Sequence, residues 1–202
     1  MNLIDRVKNM IVTPATEWEV VNSEQTDPTS LLKAYVLPLA LAGAVATFIG
    51  YSFIGYSTFG VKVGGTISAG LNYAIISLLS VIIGYYLASY VIDMLAPSFK
   101  SEKDINKSAQ LVAYANTPAL VGALLSIIPS LAMIGGLFGL YGLYLLYIGL
   151  PVLKKTPVDQ RVAYIIVSIL VLLVIYFVVG MILSAIFTPI FGIRGAGLNY
   201  DF

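Results

Sequence analysis

The sequence predicts an all-α fold, an integral membrane bundle of five transmembrane helices with a short amphipathic N-terminal segment. Three observations carry that prediction. The 202 residues are 59% hydrophobic and only 10% charged, where soluble domains carry roughly 25% charged residues. With a mean hydropathy of +0.93, the composition cannot furnish a water-facing surface. The few charges fall in clusters, and the apolar runs between them exceed the ~20 helical residues that cross a bilayer. Finally, lysine and arginine are distributed as the positive-inside rule requires. Arg6, Lys8, Lys33, Lys100, Lys103, Lys107, Lys154, Lys155 and Arg161 fall on one side, and Lys62 and Arg194 on the other. Five spans with a cytosolic N-terminus and an external C-terminus produce that split, and an even number spoils it.

The predicted organisation is a cytosolic segment over residues 1–30, a transmembrane domain over 31–190 and an external tail over 191–202. In the first segment Leu3, Ile4, Val7, Met10 and Ile11 recur at helical spacing, with Asp5, Arg6 and Lys8 between them. This helix lies either in the membrane interface or packed under the bundle. The apolar run after Lys8 is too short for a signal peptide and leads into Glu17 and Glu19, so the first span is expected to direct insertion. Thr13-Pro14 starts a second short helix, proline being tolerated at the first helical position. Its Trp18, the single tryptophan, reads as an interfacial anchor.

The first span, about 32–55, lies within an uncharged stretch between Lys33 and Lys62, and Ala42, Ala46 and Gly50 form a small-residue row along it. A glycine-rich connector covers 57–65. The second span, about 68–95, repeats the small row at Ser80, Gly84 and Ala88 and ends at Ala96-Pro97. The third, about 108–128, is the most polar, with Gln110, Tyr114, Asn116 and Thr117, and Pro118 is expected to kink it. No charge occurs from Ser108 to Leu153, a length for two spans, and Pro129-Ser130 is the turn between them.

The fourth span, about 131–153, has two faces. With Tyr141 at zero, Tyr144 and Tyr147 fall at about 300° and 240°, while Gly139, Gly142 and Gly149 fall at about 160°, 100° and 80°. Glycines on one face let a neighbouring backbone approach closely in lipid. Gly84, Gly139, Gly142 and Gly149 are therefore the predicted helix-packing positions. The fifth span, about 162–186, is almost purely aliphatic from Ile165 to Val179 and is expected to face lipid on most sides. Ala-Gly-Leu-Asn-Tyr occurs at 69–73 and again at 196–200.

The chain has no cysteine and no histidine, which removes disulfides, thiol nucleophiles, imidazole or thiolate metal sites and histidine acid–base chemistry. It carries no Walker loop, zincin motif or Gly-x-Ser-x-Gly elbow. No enzymatic activity and no cofactor are expected, and a net charge of +1 gives no reason to expect nucleic acid. The Asn106-Lys107-Ser108 sequon falls on the cytosolic side and reads as accidental. The candidate polar intramembrane cluster is Asp93, Tyr114, Asn116, Thr117, Tyr141 and Tyr144. An acid written into a span defaults to function. Asp93 lies close to Pro97 and Lys100, so a solvated helix end or a lysine pair competes with an ion or proton site. Asn116 lies about 14 Å inside Lys107 along the helix, at the depth of Tyr144. The two make either a hydrogen-bonded lock between spans or a polar cavity. Tyr90 and Tyr147 read as an interfacial belt, whereas Tyr141 is too deep for one and is expected inside the bundle with its hydroxyl bonded.

Several of these pieces together resemble the Yip (Ypt-interacting protein) domain family, in its bacterial branch. They are Pro14 with Trp18, Tyr35-Val36-Leu37-Pro38, Ala96-Pro97 with Phe99, Gln110-Leu-Val-Ala-Tyr114, Thr117-Pro118, Pro129 and the stretch Gly139–Pro157. The resemblance implies five spans in a bacterial inner (plasma) membrane with the N-terminus in the cytosol. Eukaryotic members are linked to vesicle trafficking, Rab-type GTPases and assembly with one another. This chain has a short N-terminal segment and lacks their Asp-Leu-Tyr-Gly-Pro motif, and no catalytic residue is carried over. The reading is a multi-pass protein that organises the membrane or binds partners through its cytosolic face, including the basic loops with Lys100, Lys103, Lys154 and Lys155. Its partners are the lipid bilayer and either a second copy of itself or other membrane proteins. The alternative reading is a small-solute or ion transporter with a polar path between spans two and four.

Overall fold

The structure is a computed structural model and describes residues 2–58 and 61–191. Two short helices, α1 (Leu3–Val12) and α2 (Pro14–Ser23), precede five long helical segments. These are α3 (Pro28–Ile54), α4 (Ile67–Phe99), α5 (Ile105–Ile127), α6 (Pro129–Lys154) and α7 (Val158–Ile190), each long and apolar enough to cross a membrane. The helices continue past their apolar cores because polar caps satisfy the first free N–H groups. Asp27 accepts from the N–H groups of Thr29 and Ser30, Thr66 from that of Ala69, and Asp104 from those of Asn106 and Lys107.

The proline positions shape the spans. Pro38 has no N–H and crowds the carbonyl one turn back, and the turn before it, Leu32–Val36, widens to π geometry, which absorbs the misfit. In α5 the α-helix stops at Ala115 and resumes at Thr117, leaving Asn116 at the step before Pro118. The predicted connector between the first two spans is ordered in part. Tyr56–Thr58 (β1) pairs antiparallel with Val61–Val63 (β2), Tyr56 opposite Val63, and Gly55, Gly64 and Gly65 adopt the positive φ angles that this tight return needs.

Helix α4 is central and touches α3, α5 and α7, while α6 packs along α5 and α7 lies against α4. α6 and α7 meet only sparingly. Burial follows that arrangement. In its most apolar window 56% of α5 is buried, against 6% of α7, so the polar third span is the core helix and the aliphatic fifth faces outward.

The N-terminal helices close one end of the bundle, called here the capped end. The largest cluster of buried side chains sits there, with Met10, Trp18, Val21, Tyr35, Leu111, Leu145, Leu150 and Tyr164 among its members. Trp18 is therefore no interfacial anchor. It is fully buried, edge-on to the Tyr114 ring at 6.3 Å between centroids, because α2 lies across α6 and turns the indole inward. Helix α1 packs under the bundle through most of its predicted apolar face, with Met10 buried and Leu3 and Val7 against the core. Ile4 departs from that face, 75% exposed, and Arg6 joins it, since a buried cation with two carboxylate partners fixes the roll of the helix more firmly than one isoleucine. Arg194 and the second Ala-Gly-Leu-Asn-Tyr, like most of the predicted tail, lie outside the described residues.

Candidate functional site

Two charge clusters are buried at the capped end, and each is assembled from distant segments. In the first, Arg6 on α1 bonds Glu17 Oε1 on α2 at 2.6 Å through Nη1, and its Nη2 bonds Glu24 Oε1 just beyond α2. Asn9 Nδ2 donates to the other oxygen of Glu17 at 3.1 Å. The guanidinium stands 5.2 Å from the centre of the Tyr114 ring, within cation–π range. Arg6 is 5% exposed, so its charge is neutralised almost entirely by the chain. The carbonyls ending α2 are met from α5, where Lys107 Nζ donates to Asn22 O at 2.6 Å and Gln110 Nε2 to Glu24 O at 3.1 Å. Cations suit helix C-termini. Sequence reading missed the role of Arg6 and Glu17. The available signal was that Arg6 shares a helix face with Met10, one turn on.

The second cluster contains the predicted Asp93. Its partner is Lys154, the last residue of α6, whose Nζ donates to Asp93 Oδ1 at 3.1 Å, to Ser108 Oγ at 2.7 Å and to Asp104 O at 3.0 Å. Three donors meet three acceptors, the full capacity of an ammonium. Ser108 Oγ is in turn 3.1 Å from Asp93 Oδ1. Lys154 is 0% exposed. This corrects the reading of Lys154 as part of a surface loop, because Asp93 and Ser108 of two other spans take up its ammonium. Lys100, Lys103 and Lys155 are exposed, and Lys155 pairs with Glu102 at 2.6 Å on the surface.

Tyrosine hydroxyls bind the segments together. Tyr141 donates to Ile11 O at 2.9 Å, Tyr85 to Pro28 O at 2.9 Å and Tyr164 to Ile92 O. Tyr35 Oη and Thr117 Oγ1 lie 2.7 Å apart. These four phenols link the N-terminal segments and the spans to one another. Tyr90 and Tyr147 are exposed.

The predicted polar residues do not converge. Asp93 sits in the ion pair, and Tyr114 lies under Arg6. Thr117 meets Tyr35, and Tyr141 meets α1. Tyr144 is 48% exposed on the outer face, its ring tilted against that of Tyr141. Asn116 makes no lock with Tyr144. It lines a cleft of about 140 Å³ between α4, α5, α6 and α7, together with Gly139, Gly142, Leu143, Ser168 and Tyr176.

Glycines serve three different purposes. At Gly142 an added Cβ would stand 2.7 Å from Ala115 O, a close helix–helix approach. Gly149 and Gly84 instead admit rings, since a Cβ there would reach 2.8 Å from the Trp18 indole and 2.4 Å from Tyr176 Cε1. Gly139 packs against nothing within 4 Å. It opens onto the cleft, which corrects its assignment as a packing position: α7, the helix that would cover it, leans on α4 instead. The tightest backbone crossing uses the predicted small-residue row: a Cβ on Gly50 of α3 would stand 2.1 Å from Ser126 O of α5. A second close crossing, outside the predicted packing positions, joins Gly122 of α5 to Gly135 of α6, where a Cβ on either would meet the other's carbonyl at 2.4 Å.

Among the described residues no group of acidic side chains is arranged to hold a metal. The arrangement defines a class: an all-α integral membrane protein with five candidate spans and one end closed by short helices through buried ion pairs. A family model, the Yip1 domain, matches residues 8–188, and the chain belongs to that family. Comparison with curated proteins and with solved structures gives no match.

Proposed function

We propose that this protein works without covalent chemistry, as a membrane-embedded platform that organises the bilayer or binds protein partners through its capped end. In this reading the capped end faces the cytosol of a bacterium and the membrane is the inner one, as the distribution of lysine and arginine favours. One observation carries the proposal. The Arg6 ion pairs join α1 to α2, and Tyr141 of α6 with Lys107 and Gln110 of α5 bond the carbonyls of that pair to the spans, so that face is preformed and costs little ordering when a partner arrives. It presents exposed apolar side chains, Ile4 at 75% and Val20 at 43%, beside exposed Lys8, Lys100, Lys103 and Lys155.

The competing solute path needs Asp93, Asn116 and Tyr144 to share a passage. Their dispersal between an ion pair, a cleft and an outer surface favours the platform. The test is lysine-directed crosslinking in native membranes. A defined partner captured through Lys100, Lys103 or Lys155, and lost with Ile4→Glu, supports the proposal. Solute or ion flux in liposomes that disappears with Asn116→Leu refutes it.

A further inference from the structure

The cleft between α6 and α7 is not used by the platform. Its walls are apolar, contributed by residues such as Leu143, Leu146, Ile169 and Leu172, and no charged side chain lines it. Two polar groups interrupt them. Asn116 is exposed and lines the cleft, and among the described residues its side chain has no hydrogen-bond partner. Ser168 is 2% exposed, and its Oγ has no hydrogen-bond partner. A buried hydroxyl without a partner costs roughly 1–3 kcal/mol, and a primary amide facing hydrocarbon is worse placed still. Asn116 lies eight residues beyond Ser108 on α5, about 12 Å deeper than the Lys154–Asp93 pair. That is below head-group level in a bilayer whose hydrocarbon is about 30 Å thick.

We infer that this cleft binds a neutral lipid with a free hydroxyl, of the diacylglycerol class. The depth requires a ligand that arrives through the bilayer. The lack of any cation at the cleft disfavours a phosphate-bearing lipid, whose charge would have to descend about 12 Å from the surface without a counter-ion. A hydroxyl with neighbouring ester carbonyls matches one amide and one serine hydroxyl, both able to donate and accept. The volume of about 140 Å³ compares with the ~150 Å³ cavity that admits benzene. It therefore holds the glycerol end of the ligand, and the acyl chains run out between α6 and α7, which meet only sparingly. Gly139 keeps the space open, because any side chain there would project into it.

The experiment uses the full chain in phosphatidylcholine nanodiscs containing a diacylglycerol analogue with a photoreactive diazirine beside the glycerol. A phosphatidylcholine analogue carrying the same group is the comparator. Binding predicts that the diacylglycerol probe labels peptides containing Leu143 or Leu172 at least several-fold above the comparator, and that unlabelled diacylglycerol competes. Asn116→Leu and Ser168→Ala should each lower labelling about fivefold, the factor for one hydrogen bond of ~1 kcal/mol. Gly139→Leu should abolish it with no loss of thermal stability, since the helix gains a better helix former. If Gly139→Leu does not fold, Ser168→Ala decides alone. Equal labelling by both probes means ordinary surrounding lipid and overturns the inference. So does diacylglycerol labelling unchanged in the folded variants, or a crosslink through the cleft to a second copy of the chain.

Discussion

The two ends of the bundle are held by different forces. At the capped end, Arg6 with Glu17 and Glu24, Lys154 with Asp93, and three tyrosine hydroxyls on backbone carbonyls join segments far apart in sequence. Toward the other end α6 and α7 present Met133, Leu137, Val174, Phe177 and Met181 outward, and Gly136 and Gly180 have open space beside them. The difference follows from the solvent. An aliphatic side chain gains little by leaving lipid for a protein interior, so association rests on close packing and on polar groups with no other partner. Apolar content says that these helices are in the membrane; it does not say where they are fastened.

That contrast can be broken most directly at Lys154. Lys154→Met leaves the Asp93 carboxylate buried with Ser108 as its remaining partner, and unfolding in detergent should show a loss of about 3–5 kcal/mol. The double variant Lys154→Met with Asp93→Leu should recover most of it. If the single variant is neutral, the capped end is not fastened by charge. Gly142→Val comes next. Its side chain would overlap Ala115 O, and overpacking of this kind costs about 1–3 kcal/mol, measured as a fall in melting temperature.

At the open end the sign should reverse. Gly136→Ala has nothing to strike and should stabilise by up to about 1 kcal/mol through helix propensity. Glu102→Gln, which breaks the solvent-exposed pair with Lys155, should change stability by less than about 1 kcal/mol. The smallest effect is at Asp27. Hydrogen bonds from Ser30, then from Thr29, hold its carboxyl below the ordinary carboxylate range. A depressed folded-state pKa contributes stability above the unfolded value and loses it as pH falls through the folded one. Protection of the Thr29 and Ser30 amides, taken relative to the intrinsic exchange rate at each pH, should therefore fall on acidification below the normal aspartate range and stay constant near neutrality.

The membrane fold was legible because composition and charge spacing act over whole segments. The fastenings were less so, since each joins residues that no local pattern connects. Asp93 could be singled out as an acid in a span, yet Lys154 lies 61 residues away. Helical phase did not mark Lys154 for burial, since with Tyr141 at zero it falls at about 220°, beside Tyr147; its burial depends on Asp93 and Ser108 of two other spans. Asn116 could be placed in depth but not in its surroundings, because the cleft it lines is walled by residues of three other spans. Trp18 read as an anchor because a lone tryptophan beside charges resembles one, and only the ring-sized space over Gly149 shows otherwise.

The bond from Tyr141 to Ile11 spans 130 residues. During synthesis at ~5–20 residues per second, the first helix therefore waits on the order of ten seconds before the fourth span exists to receive it. Throughout that interval Ile4 and Met10 are equally open to the ribosome's surroundings. The clasp that completes the molecule is a late contact for a nascent chain, and a truncation before α6 leaves the leading segment held from α5 alone.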